Sequence, residues 1–210
     1  MSLFITSFPM LLLIALTAVV FLGFLERVLE RMRLTRREAL VILLAMLAAS
    51  FIPDIPIYRG LHINIGGALI PLGILIYLLW TTDTQKERMR GLATILVAAA
   101  AVYVLDKFLP LEPGFISFDL DPLYMPAIFA AIFAYLTGRS RRSSFIGAVG
   151  SVLLLDIFAW VENLFMFPGV VPVILGGGGV LGAAVVAGVL AVFLAEIVGE
   201  IRERLQRGPA

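Results

Sequence analysis

The chain contains no cysteine, which excludes disulfides, thiolate nucleophiles and sulfur-ligated metals. A single histidine, His62, leaves too few imidazoles for a histidine-built metal or haem site within one subunit, so neither a metal nor a cofactor is expected. Charged residues are scarce, at 15% of 210 positions against 61% hydrophobic, whereas soluble domains carry roughly 25% charged residues. A water-facing surface of ordinary chemistry cannot be assembled from that pool, and no nucleic-acid partner is expected. A phosphate-binding Gly-Lys-Ser/Thr loop is also missing.

What is present is a succession of apolar runs. A helix needs roughly 20 residues to cross a hydrocarbon core about 30 Å thick. The runs at 8–25, 39–52, 61–80, 91–109, 120–137, 144–167 and 180–198 therefore predict an all-α, polytopic bundle of seven transmembrane helices, a single domain over 1–210 with the lipid bilayer as its first partner. Met1 to Pro9 carries no charge and lacks the basic start of a signal peptide, so the first run is expected to stay as a transmembrane helix.

Basic residues alternate between the connections. All lysines and arginines except Arg59 and Lys107 fall in 26–38, 81–90, 138–144 and 199–210. The positive-inside rule then predicts N-out/C-in, multi-pass in the cytoplasmic membrane of a prokaryotic cell.

Two hairpins look alike. Phe51-Ile-Pro-Asp-Ile-Pro56 leads into Asn64-Ile-Gly-Gly-Ala-Leu-Ile-Pro71, and Phe167-Pro-Gly-Val-Val-Pro172 leads into the glycine run 176–179. Each is a proline-bounded turn feeding a glycine-rich helix start, and the pattern admits a parallel 3+1+3 pseudo-repeat. Two similarly capped hairpins without duplication would read the same way.

Asp156 is the sharpest chemical signal. It falls roughly 17 Å into the sixth run at about 1.5 Å per residue, near mid-membrane, where insertion of a charge costs about 2.5–3.5 kcal/mol or more. It must face protein or water, which makes it a candidate carrier of a proton or cation; an inter-helix hydrogen bond that fixes packing is the alternative. Asn163 shares its face, with Trp160 between them, and extends a polar path. Glu162 projects about 120° away and equally fits an interfacial side chain.

His62 and Asn64, at the outer end of the third run, are candidates for the entrance to the same path or for contact with headgroups. Gly66, Gly67, Gly176, Gly177, Gly178 and Gly179 interrupt the third and seventh runs, and freed N–H groups there suit an anionic or polarised ligand. Packing competes with that reading. Gly178 and Gly182 continue into Ala183, Ala187, Ala191 and Ala195, a small-residue stripe suited to close helix contact, including contact between subunits of an oligomer. Asp106, Lys107, Asp119 and Asp121 are expected in water, where the acids would attract cations.

Taken together, Asn64 to Pro71, Gly147 to Asp156 and Gly176 to Gly179 resemble an uncharacterised, domain-of-unknown-function family of bacterial and archaeal multispanning membrane proteins, over most of the chain after about residue 40. The resemblance implies membrane location and no established reaction. Its pattern has an acidic residue shortly after the glycine-rich run. The matching position here is Gly182, which puts a two-acid mechanism in doubt.

Three functions compete. The first is a small-solute or ion transporter, proton coupled through Asp156, which moves its solute without changing bonds. The second is an intramembrane aspartyl hydrolase, with Asp156 as a catalytic acid that needs a second carboxylate within reach. The third is a noncatalytic scaffold or partner subunit. A retinal protein is disfavoured because the seventh run holds no lysine.

Overall fold

The computed structural model describes residues 23, 26, 28–30, 32, 34–82, 84–108, 124–166 and 172–207. The chain divides into two compact units, Met1–Leu44 and Ala45–Ala210.

Within the first unit, helix α1 (Arg36–Ala49) starts in a capping box. Thr35 donates its backbone N–H to Glu38 Oε2 at 2.7 Å, and the Glu38 N–H returns to Thr35 Oγ1 at 3.3 Å. Two amide donors that a helix start leaves unpaired are thereby used. The bonds from Thr35 hold the exposed Glu38 carboxyl below its ordinary value of 4.5.

In the second unit the prolines after Ile52 end helical structure, and the chain turns into strand β1 (Ile55–Tyr58) and strand β2 (Leu61–Ile63). They pair antiparallel with Tyr58 opposite Leu61. The two-residue turn between them has φ of 33° at Arg59 and 79° at Gly60, the backbone that a tight hairpin requires. Strand β3 (Val173–Leu175) pairs with β2 in parallel, Leu61 opposite Val173 and Ile63 opposite Leu175.

Strands β2 and β3 each feed a short irregular turn and then a helix. After β2 comes a π-turn at Ile65–Leu69 and helix α2 (Ile70–Trp80), with Pro71 in its first turn, where the missing N–H costs nothing. After β3 come the glycine run, a 3-10 turn at Gly179–Leu181 and helix α6 (Ala183–Arg207).

Between these lie α3 (Gln85–Phe108), α4 (Tyr124–Gly138) and α5 (Arg141–Met166). Helix α5 is central, packed against α3, α4 and α6. Small residues let the backbones close up. Ala127, Ala130, Ala131 and Ala134 are at most 1% exposed, and a side chain at Gly147 would meet Thr94 and Ala134. Such small-residue faces are how helices pack where water supplies no driving force.

Three helices among the described residues are long and apolar enough to span a bilayer: Gln85–Phe108, Arg141–Met166 and Ala183–Glu203. Their lengths correspond to about 36, 39 and 31 Å. The chain is thus a multi-pass membrane protein, an all-α bundle with three such helices among the described residues, and the expectation of seven transmembrane helices is corrected.

The physical reason lies in the shorter runs. Those at 39–52, 61–80 and 120–137 become helices of 14, 11 and 15 residues, about 21, 16 and 22 Å, well short of a core about 30 Å thick. Residues 61–69 are spent on a strand and a π-turn. The run at 8–25 lies outside the described residues, apart from Gly23. The N-out/C-in orientation and the parallel 3+1+3 arrangement rest on those seven runs, and both lose that basis with the count.

Candidate functional site

Helix α5 carries the acid. Its first half, through Leu153, is buried on every side. Beyond that the packing loosens and Asp156 is half-buried. Its Oδ2 accepts the backbone N–H of Gly176 at 3.0 Å, so the carboxylate is held by the turn that follows β3.

That turn is possible only with glycine. Gly176 has φ of 65°, a region costly for a residue with a Cβ. A Cβ there would also stand 2.3 Å from the Gly67 carbonyl carbon, and one on Gly67 would stand 2.0 Å from the Gly176 carbonyl oxygen. The two glycine breaks are stacked against each other, backbone on backbone.

Asn64 organises the first break. Its Oδ1 accepts the Gly67 N–H at 2.8 Å and its Nδ2 donates to Asp54 Oδ1 at 2.7 Å. Its backbone N–H donates to the Leu175 carbonyl at 3.0 Å, which joins the first break to the second. Gly66 lies against the Met46 carbonyl and Gly179 against the Ser50 hydroxyl, whereas a Cβ on Gly177 would make only ordinary contact with Ile174, and Gly178 caps the 3-10 turn.

A cavity of about 260 Å³ opens beside Asp156, between α3, α4, α5 and the first residue of α6. Besides Asp156 its polar lining comes from Tyr103, Asp106, Lys107 and Glu162. The Tyr103 hydroxyl donates to Glu162 Oε1, and Lys107 Nζ lies 3.6 Å from the same oxygen. The lysine ammonium also sits 5.3 Å from the centre of the Tyr103 ring. Tyr103, Asp106 and Lys107 reach one wall because they stand three and four residues apart on α3.

The sequence-predicted residues are thus only partly brought together. Asp156 lines the cavity, and Gly176 binds Asp156 without lining it. Asn64 and the remaining glycines form the support behind that contact. His62 sits in the middle of β2 opposite Pro56 and Ile174, and Asn163 lies half-buried on α5; neither lines the cavity. Trp160, between Asp156 and Asn163 in sequence, donates its indole N–H to the Arg59 carbonyl at 3.3 Å and meets the Tyr58 ring edge-on, which ties α5 to the hairpin.

Sequence reasoning missed Tyr103; Lys107, expected in water, is exposed and also reaches Glu162. The i, i+3, i+4 spacing of Tyr103, Asp106 and Lys107 was the available signal. No group of three His, Cys, Asp or Glu side chains able to hold a metal ion occurs among the described residues. At Gly182 a Cβ would stand 2.4 Å from the Gly177 carbonyl oxygen. Asp119 and Asp121 lie outside the described residues.

A family model described as "Protein of unknown function (DUF1614)" matches residues 20–194. The match covers most of the chain, which belongs to that family. Neither the curated proteins nor the solved structures give a match.

Proposed function

We propose that this DUF1614 protein is a proton-coupled permease for a small solute in the cytoplasmic membrane of a prokaryotic cell, with Asp156 as the proton carrier. One observation carries the reading: Asp156 lines the cavity and at the same time accepts the Gly176 N–H at the glycine break. The acid is therefore a link between ligand space and backbone.

A hydrogen bond to an ionised carboxylate is roughly twice as strong as a neutral one. Neutralising Asp156 weakens its hold on Gly176, and the stacked breaks at Gly67 and Gly176 are then less firmly tied to α5. Irregular backbone at a helix start, beside a cavity, is also where transporters of several architectures place their sites.

The test uses the full chain in liposomes loaded with a pH-sensitive dye, to which small cations, anions and neutral solutes are added in turn. A transported solute is expected to shift the internal pH, and Asp156→Asn to abolish the shift while the detergent-purified variant still elutes as the wild type does. No response to any class, or an undiminished response in the variant, overturns the proposal. The hydrolase and scaffold readings have less to stand on: among the described residues the one hydrogen bond to Asp156 comes from a backbone amide, and the acid lines a cavity.

A further inference from the structure

The cavity lining narrows the solute, on the premise of the permease reading. We propose that the cavity binds a small organic ammonium, its cationic head on Glu162 and the Tyr103 ring in the place Lys107 now holds, its apolar body against Phe129 and Phe158.

Lys107 acts as a tethered stand-in for that ligand. Its ammonium meets a carboxylate oxygen at 3.6 Å and an aromatic face at 5.3 Å. A carboxylate with an aromatic ring is the pairing that recognises alkylammonium groups. The stand-in is easily displaced, because its side chain is 55% exposed and exposed ion pairs are weak.

Charge and shape agree with this assignment. Three carboxylates, Asp106, Asp156 and Glu162, line the space against one lysine, so the lining favours positive charge. Phe129 and Phe158 supply an apolar wall, with Phe158 edge-on to Tyr103 at 6.3 Å. The volume of about 260 Å³ equals roughly eight waters at about 30 Å³ each, room for an alkyl chain or a single ring. A bare divalent ion fits poorly. Calcium takes 6–8 oxygens, and the described residues hold no cluster of three acidic or histidine side chains placed for a metal. A proton on Asp156 also lowers the negative charge of the lining that attracts the cation to Glu162, which is the coupling an exchanger needs.

Calorimetry on the detergent-purified full chain tests the assignment with three probes of one shape: 2-phenylethylammonium, 2-phenylethanol and 3-phenylpropionate. The ammonium is expected to bind at least ten-fold more tightly than the alcohol. Glu162→Gln should weaken it at least ten-fold, and Lys107→Gln should tighten it by removing the competitor.

Equal binding of ammonium and alcohol, or no binding of the ammonium, overturns the inference with the wild type alone. So does preference for the carboxylate with its loss in Lys107→Gln, which would mark an anion site. Binding is read independently of flux. A chain that binds the ammonium but leaves the vesicle dye silent keeps the site and loses the permease; a dye response to another solute class without ammonium binding does the reverse.

Discussion

A methyl group added to Gly67 would lie 2.0 Å from the carbonyl oxygen of Gly176. The contact joins the start of α2 to the turn that grips Asp156, and it leaves no space for any side chain.

Gly67→Ala and Gly176→Ala are therefore expected to destabilise the protein by about 2 kcal/mol or more, the scale of forced overpacking. For a chain of this size that lowers Tm by several degrees, at roughly 2–4 °C per kcal/mol. Gly177→Ala is the control, since its nearest neighbour would be 3.5 Å away. Thermal scans showing the three variants equally stable would contradict the stacking.

Asn64→Ala removes the acceptor for the Gly67 N–H and leaves that amide buried, a loss of about 2 kcal/mol for a cap and an orphaned donor. Asp54→Ala removes only the bond to Nδ2 and should cost less. Thermal unfolding of the pair checks the order, and the reverse order would mean that Asp54 is the organising residue.

Tyr103 and Lys107 converge on one oxygen of Glu162, so their substitutions should not add. In a double-mutant cycle, Tyr103→Phe with Lys107→Gln is expected to show a coupling of about 0.5 kcal/mol or more. Strict additivity in unfolding free energies would show that the two side chains act independently.

Glu38 supplies a pH dependence of defined sign. Its carboxyl is held below the ordinary value of 4.5 by its bonds from Thr35. A depressed folded value means that the cap's contribution is complete above the unfolded value and is lost as pH falls through the folded one. Hydrogen exchange at the Thr35 amide, corrected for its intrinsic pH dependence, should accelerate below about pH 4.5. Glu38→Gln keeps a capping box and should remove that acceleration; persistence of the pH effect in the variant would locate it elsewhere.

How much of this was legible depends on the range of the interaction. Asp156 was found because an isolated acid in an apolar run has a high cost wherever lipid is near, and the glycine breaks because glycine runs punctuate helices. The number of crossings failed at 61–80 for a related reason. Hydropathy records that Leu61, Ile63 and Ile65 are apolar, and says nothing of whether they lie in a strand, a turn or a helix. Strand β3 could not be read at all, since its partner is Leu61–Ile63 and three apolar residues have no periodicity of their own. The cavity was half visible: the water exposure of Lys107 follows from its place near a helix end, whereas its contact with the ring of Tyr103 one turn earlier needs the helix spacing to be read as well.

The parallel ladder has a mechanical consequence. Because β2 and β3 exchange hydrogen bonds immediately before the chain enters α2 and α6, these two helices are yoked at that end. Ala183 on the cavity wall and the Arg59 carbonyl that accepts the Trp160 indole N–H therefore lie at the two ends of one hydrogen-bonded backbone path through the sheet.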